Sequence, residues 1–199
     1  NTFWMRKPLR TVVTLHHVSF AYPPEERAVS WIERLYVRSL FRRIARHADA
    51  VITDSRSGAA DLGRLLGAEA TVVPLAPDPS FAPAATGPVR ERHGLMRPYV
   101  LFAGSLGIRK NVPGMVRAFA RFNARGTHDF VIAGSAPEAL SYRAVSWEGL
   151  PMDRVRLLGF VPDGDLPALY SGADALFYAT HYEGFGMPIL EAFACGCPV

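Results

Sequence analysis

The stretch Thr180–Val199, THYEGFGMPILEAFACGCPV, decides the fold. An apolar run before it, Ala175–Ala179, predicts a strand that ends near Thr180. After it, Pro188 suits the first turn of a helix running from about Met187 to Cys195. Between strand and helix lies Glu183-Gly184-Phe185-Gly186. Its two glycines let the backbone approach a ligand closely, and the N–H groups of this turn join the free donors of the helix N-terminus. Strand, glycine loop and helix in this order make an anion site, and ligands of open parallel sheets gather at the carboxyl ends of strands. Glu183 and Glu191 are eight residues apart, one in the loop and one in the second helical turn. A carboxylate beside a phosphate site can accept hydrogen bonds from a sugar diol. The plainer reading of Glu191 is an acidic residue favouring the helix dipole.

Working outward, a second unit of the same kind follows a strand predicted at Tyr99–Ala103. Gly104-Ser105-Leu106-Gly107-Ile108-Arg109-Lys110-Asn111 leads into a helix from about Val112 to Ala124. Arg109 offers a planar fork for two phosphate oxygens and Lys110 a point charge. The spacing of Gly, Lys and Ser/Thr is not that of a Walker A loop. Taken alone, the two cations read as solvated surface charges.

The same alternation extends through the chain. Strands are expected at Val12–Leu15, Ala50–Thr53, Thr71–Val73, Phe130–Ala133 and Val155–Leu158. Helices are expected at 30–48, from Ser55 to Gly67, and from about Asp163 to Ser171, with a poorly defined helical stretch before Val155. For the helix 30–48 the apolar face is read as Ile32, Leu35, Tyr36, Leu40, Ile44 and Ala48. Short buried strands alternating with helices predict an α/β protein with parallel sheets. Six prolines fall between Pro74 and Pro98, with little periodicity, which predicts an extended linker. The expected organisation is one α/β domain over 1–80, a linker over 81–98 and a second α/β domain over 99–199.

Composition bounds the function. Of 199 residues, 49% are hydrophobic and 20% charged, as in a globular chain. No apolar run reaches the roughly 18 to 20 residues that span a bilayer. The net charge of +4 rests on arginine, since Lys7 and Lys110 are the only lysines. Cys195 and Cys197 lack a neighbouring Cys or His cluster and read as two small buried residues of a cytoplasmic protein rather than metal ligands. Both ends read as cut, so the chain is expected to be a fragment that is inactive on its own.

Together these stretches resemble the group 1 glycosyltransferases (glycosyltransferase family 4), which have the GT-B fold of two Rossmann-like parallel-sheet domains. GFVPDGDLPALYSGADALFYATHYEGFGMPILEAFACGCPV, from Gly159, resembles the family's most distinctive region, including its Glu-x7-Glu motif. VLFAGSLGIRKNVPGMVRAFARF resembles its phosphate-binding loop and following helix. VVTLHHVSF resembles the histidine-bearing strand end of the first domain, and AVITDSRSGAADL that domain's last strand and helix. Both domains are then incomplete here, the first on the acceptor side and the second on the donor side.

The resemblance implies a retaining transfer of sugar from a nucleoside-diphosphate sugar to a glycan or lipid-linked acceptor, as in cell-envelope polysaccharide synthesis. It implies that Gly104, Arg109 and Lys110 meet the diphosphate. Backbone donors of Gly184, Phe185, Gly186 and Met187 would surround sugar and phosphates. Glu191 would hold the ribose, and Phe160 and Val161 would line the base pocket. Glu183 and His16 would face the reacting sugar. Two departures stand out: Ser105 where many members carry arginine, and His17 where many carry aspartate. The rival readings are a non-catalytic nucleotide- or sugar-binding module, such as an inactive truncated relative, and a nucleotide-sugar epimerase of the same fold.

Asp163-Gly164-Asp165 matches a metal-binding Asp-x-Asp pattern, but here it opens a helix, where capping explains it better. Neither metal nor other cofactor is expected. The helix 30–48 carries Arg34, Arg38, Arg42, Arg43 and Arg46. It reads either as a solvated face or as a basic surface for peripheral contact with the inner face of a membrane. Nucleic acid is not an expected partner, because no helix-turn-helix or RNA-reading motif appears.

Overall fold

The computed structural model describes residues 9–16, 31–135 and 146–199, with backbone alone for 31–34. His17, Ser30, the side chains of Ile32 and Arg34, and much of the stretch before Val155 therefore lie outside the described residues. The chain divides into two compact units, one of residues 1–75 with 183–185 and one of 76–182 with 186–199.

In the first unit, β1 (Val12–Thr14), β2 (Ala50–Thr53) and β3 (Thr71–Val72) form a parallel sheet in the order β1-β2-β3. Between them run α1 (Trp31–His47) and α2 (Arg56–Leu66). Ser55 caps α2 as its sequence predicts, its Oγ accepting from Gly58 N–H, and Gly67 ends the helix in the left-handed region at φ 66°. The core gathers Leu15, Val51, Leu62 and Leu66, against which Val37, Phe41 and Ala45 of α1 pack. This corrects the face expected for α1 in part, because Leu35, Tyr36 and Leu40 are exposed while Ala48 packs on the core as read. Several apolar residues with near-helical spacing gave two overlapping stripes, and packing selected the one through Val37, Phe41 and Ala45.

In the second unit, α3 (Gly87–Arg92) precedes β4 (Tyr99–Ala103) and α4 (Val112–Phe122). Then come β5 (Asp129–Ala133), β6 (Val155–Gly159), α5 (Leu166–Ser171), β7 (Ala175–Leu176) and α6 (Met187–Ala194). The sheet is parallel throughout, in the order β6-β5-β4-β7. Its central strands are covered on both faces. Leu101, Val131, Leu169 and Tyr170 share one core, while Phe102, Phe130, Ile132, Met115 and Phe119 share the other. That double burial is why β4 and β5 read as continuous apolar runs rather than alternating ones.

The segment 81–98, read as an extended linker, contains α3, whose Pro88 occupies the first turn where the missing N–H costs nothing. Asp165 also departs from expectation. It stands at the start of α5 but makes no side-chain cap. Its carboxylate instead accepts from Arg92 Nη1 at 2.7 Å and lies 3.3 Å from His93 Nε2. The Arg92 guanidinium holds the carboxyl below the usual carboxylate range. This pair ties α3 to α5, a tertiary use that the local cap pattern does not reveal. Cys195 and Cys197 are buried free thiols, as read.

Candidate functional site

The second unit carries a cleft of about 270 Å³ at the carboxyl ends of β4, β5 and β6. Gly104 and Ser105 line it after β4, Gly134 and Ser135 after β5, and Phe160 and Val161 after β6, with Leu166, Pro188 and Glu191 closing it. Four expected site residues thus converge: Gly104, Phe160, Val161 and Glu191. Two glycine turns make this approach feasible. A Cβ on Gly134 would stand 1.8 Å from Gly104 O, so the loops after β4 and β5 meet only because no side chain intervenes. The turn into α6 is made at Gly186, in the left-handed region at φ 95°, and Ile189 N–H closes it on Gly186 O at 3.0 Å.

Glu191 reaches the cleft from the second turn of α6, and its Oε2 accepts from Tyr170 Oη at 2.8 Å. Tyr170 is fully buried. Burial raises the Glu191 pKa, which the Tyr170 hydrogen bond and the charge of Lys110 partly offset. A carboxylate kept half out of water with one oxygen already held has a fixed orientation at the cleft.

Lys110 is 7% exposed, unusual for a lysine, and its Nζ donates to Tyr178 Oη at 3.0 Å. A Cβ on Gly104 would stand 3.7 Å from that Nζ, which puts the ammonium beside the cleft's floor. Its charge therefore acts at lower effective dielectric than a surface lysine's. This is the opposite of the solvated surface reading. Tyr178 in turn stacks on Phe102, with ring centroids 6.1 Å apart.

Arg109 sits differently. Its Nη1 donates to Tyr182 O at 2.7 Å, and its own carbonyl accepts from His181 N–H at 3.0 Å. Asn111 Nδ2 donates to Ala179 O at 2.9 Å. The turn 108–111 is thereby laced to residues 178–182, which continue from β7 toward Glu183.

In the first unit, His16 follows β1, with its side chain 63% exposed. A side chain this exposed is not part of the core. Its Nδ1 lies 2.8 Å from Oδ2 of Asp54, a residue only 3% exposed at the end of β2. A buried carboxylate on Nδ1 selects the tautomer protonated there, which makes Nε2 the acceptor of the neutral ring. Glu183, Gly184 and Phe185 are half-buried and group with this first unit, while Met187 opens α6 in the second.

Sequence reasoning missed Asp54, Tyr170, Tyr178 and the side-chain role of Asn111. Asp54 had a signal, an acid between a strand and a capping serine, whereas the two tyrosines read only as apolar bulk. Among the described residues no three His, Cys, Asp or Glu side chains group as a metal site, and no helix is long and apolar enough to cross a membrane.

Comparison with known proteins gives one family. Residues 88–199 match the family model for "Glycosyl transferases group 1". The chain is similar to the O-antigen chain mannosyltransferase B of Escherichia coli, 32% identical over 96% of this chain and 52% of that protein. It is similar in structure to sucrose-phosphate synthase from Thermosynechococcus elongatus, with a TM-score of 0.76, 26% identity and coverage of 98% of this chain and 50% of that one. An Anabaena protein solved with UDP and glucose shares the fold, with a TM-score of 0.71 at 21% identity over 100% of this chain and 53% of that one. The chain spans about half the length of these relatives. With the parallel sheets and glycine loops described above, these matches establish that the chain belongs to the group 1 glycosyltransferases and has the GT-B type of α/β fold.

Proposed function

We propose that the whole protein transfers a sugar from a nucleoside-diphosphate sugar to a glycan or lipid-linked acceptor, with retention of anomeric configuration, and that the second unit holds the donor. The observation that carries this reading is the cleft in which Gly104, Phe160, Val161 and Glu191 converge beside the buried ammonium of Lys110. Phe160 and Val161 border the base, and Glu191 accepts the ribose hydroxyls. Lys110, with the backbone at Gly104 and the N–H groups of Gly184 to Met187, meets the diphosphate and sugar. Glu183 and His16 attend the transferred sugar, with Nε2 of His16 as the acceptor. Arg109 stood with the diphosphate in the sequence reading. Its bond to Tyr182 supports a different role, argued below.

In the transfer, the bond from the anomeric carbon to the β-phosphate oxygen breaks while the acceptor oxygen attacks on the same face. The acceptor's proton passes to the leaving phosphate oxygen. The protein's part is to fix the donor and to stabilise the charge growing on the diphosphate. Lys110 and the α6 N-terminus supply that charge stabilisation, and the reading needs no metal. Of the two acids in the metal-like pattern, Asp165 is engaged by Arg92.

The first unit is the acceptor side in this reading. Its α1 presents exposed Leu35, Tyr36 and Leu40 beside Arg38, Arg43 and Arg46. That composition suits peripheral contact with an anionic membrane from the cytoplasmic side and a lipid-linked acceptor.

The test gives the full-length protein radiolabelled UDP-, GDP-, ADP- and dTDP-hexoses with a membrane fraction as acceptor source, and reads the new linkage by proton NMR. Label should enter the acceptor from one donor, with the anomeric configuration of that donor. An inverted product contradicts retention. Binding of a donor without transfer favours the non-catalytic module.

A further inference from the structure

The sheet of the second unit ends early at β7. Phe177 N–H still donates to Leu101 O, but beyond it residues 178–182 have left the ladder. Their backbone polar groups must be satisfied elsewhere. The turn Arg109-Lys110-Asn111 and the helix behind it take them up. Ala179 O accepts from Asn111 Nδ2 at 2.9 Å, and Ala179 N–H lies 3.4 Å from Met115 Sδ. His181 N–H donates to Arg109 O at 3.0 Å, and Tyr182 O accepts from Arg109 Nη1 at 2.7 Å. The next residue along the chain is Glu183.

Asn111 is built for this task. It occupies the left-handed region at φ 53° and ψ 31°, which asparagine tolerates better than most residues. Its side chain folds over Gly114. A Cβ there would stand 2.3 Å from Asn111 Oδ1, so the glycine leaves the space into which the amide fits. The motif R-K-N-x-x-G therefore divides its labour. The middle residue turns its ammonium toward Gly104 and the cleft, and the outer two hold the strand end.

We infer that Arg109 and Asn111 are positioning residues that fix residues 179–182, and hence the start of the Glu183 loop, while Lys110 alone of the three serves the donor's diphosphate. The inference rests on the donor-site reading above, and it replaces the phosphate fork that the sequence suggests for Arg109. A guanidinium bonded to a main-chain carbonyl sets where the chain goes next, and a misplacement of about 1 Å at a reacting centre can cost on the order of 10² in rate.

The experiment uses the full-length protein and the nucleoside diphosphate (UDP, GDP, ADP or dTDP) that wild type binds. Arg109→Met, Arg109→Lys, Asn111→Ala and Gly114→Ala are compared in calorimetric titration and in steady-state transfer. Arg109→Met, Asn111→Ala and Gly114→Ala should each lower kcat about ten- to a hundredfold, with affinity for the free nucleoside diphosphate within about threefold of wild type. Asn111 and Gly114 carry no charge to offer a phosphate, so a shared phenotype is the signature of positioning. In a Glu183→Gln background, Arg109→Met should add little further loss, because both changes act on one loop. A tenfold or greater loss of free-diphosphate affinity in Arg109→Met, retained by Arg109→Lys, would overturn the inference in favour of a phosphate contact. Unchanged kcat in a folded Asn111→Ala and Gly114→Ala would overturn it as well. Failure of wild type to bind any of the four diphosphates would instead strike the donor-site reading, and this inference with it.

Discussion

His16 and Lys110 each stand beyond the carboxyl end of a parallel strand, and each bonds a side chain distant in sequence, yet they are built in opposite ways. His16 is exposed and its partner Asp54 is buried. Lys110 is buried and its Nζ is held by the hydroxyl of Tyr178. A buried carboxylate behind an exposed imidazole fixes tautomer and direction while leaving the ring open to a substrate that comes and goes. A buried ammonium gives up hydration in advance, so in the proposed donor site a diphosphate would meet a charge already stripped of water and already placed. The first arrangement suits orientation and the second suits charge stabilisation.

Three changes probe this contrast. The largest effect should come from Lys110→Ala. Loss of one preorganised charge-stabilising donor typically costs about 10² to 10³ in turnover, and steady-state kinetics on the folded variant should show that loss. A drop below about threefold would remove Lys110 from the site. Asp54→Asn should cost less, about tenfold in kcat, because His16 keeps a hydrogen-bond partner but its tautomer is no longer enforced. The NMR shifts of the imidazole nitrogens should show the tautomer mixture directly. If they stay as in wild type, Asp54 does not set the ring.

The smallest effect concerns Glu191, whose pKa is raised chiefly by burial. A raised carboxyl pKa means that the folded state binds the proton more tightly than the unfolded state. The stabilising contribution is then present below the unfolded pKa and lost as pH rises through the folded one. Ionising this carboxyl in the folded state thus costs some stability. Without donor, Glu191→Gln should melt slightly above wild type at pH 7, and the difference should shrink as pH falls through the Glu191 titration. A Tm difference that grows on acidification would contradict that sign.

Much of the fold was legible because the signals were local. Ser55 and Gly67 mark both ends of α2 in the sequence, and the double burial of β4 and β5 shows as unbroken apolar runs. Glu183, Glu191 and the loop after β4 stood out because glycines and charges cluster there at strand ends. The misses have a common cause in distant partners. Asp54 meets His16 across 38 residues, Tyr178 meets Lys110 across 68, and Arg92 meets Asp165 across 73. Nothing in a local pattern tells a tyrosine that packs from one that also holds a lysine. The stripe of α1 failed in part for a related reason, since two apolar faces were available and only packing chose between them. Proline-rich sequence hid α3, although a proline at the first helical position is compatible with a helix.

The central claim is that the cleft beside Lys110 holds a nucleoside-diphosphate sugar. Its most direct measurement is thermal unfolding of the full-length protein across UDP-, GDP-, ADP- and dTDP-hexoses, with Lys110→Ala in parallel. One donor should stabilise wild type by about 2.7 kcal/mol at one hundred times its dissociation constant. At the same concentration it should stabilise Lys110→Ala far less. No stabilisation of wild type by any of the four, or equal stabilisation of both proteins, would contradict the account.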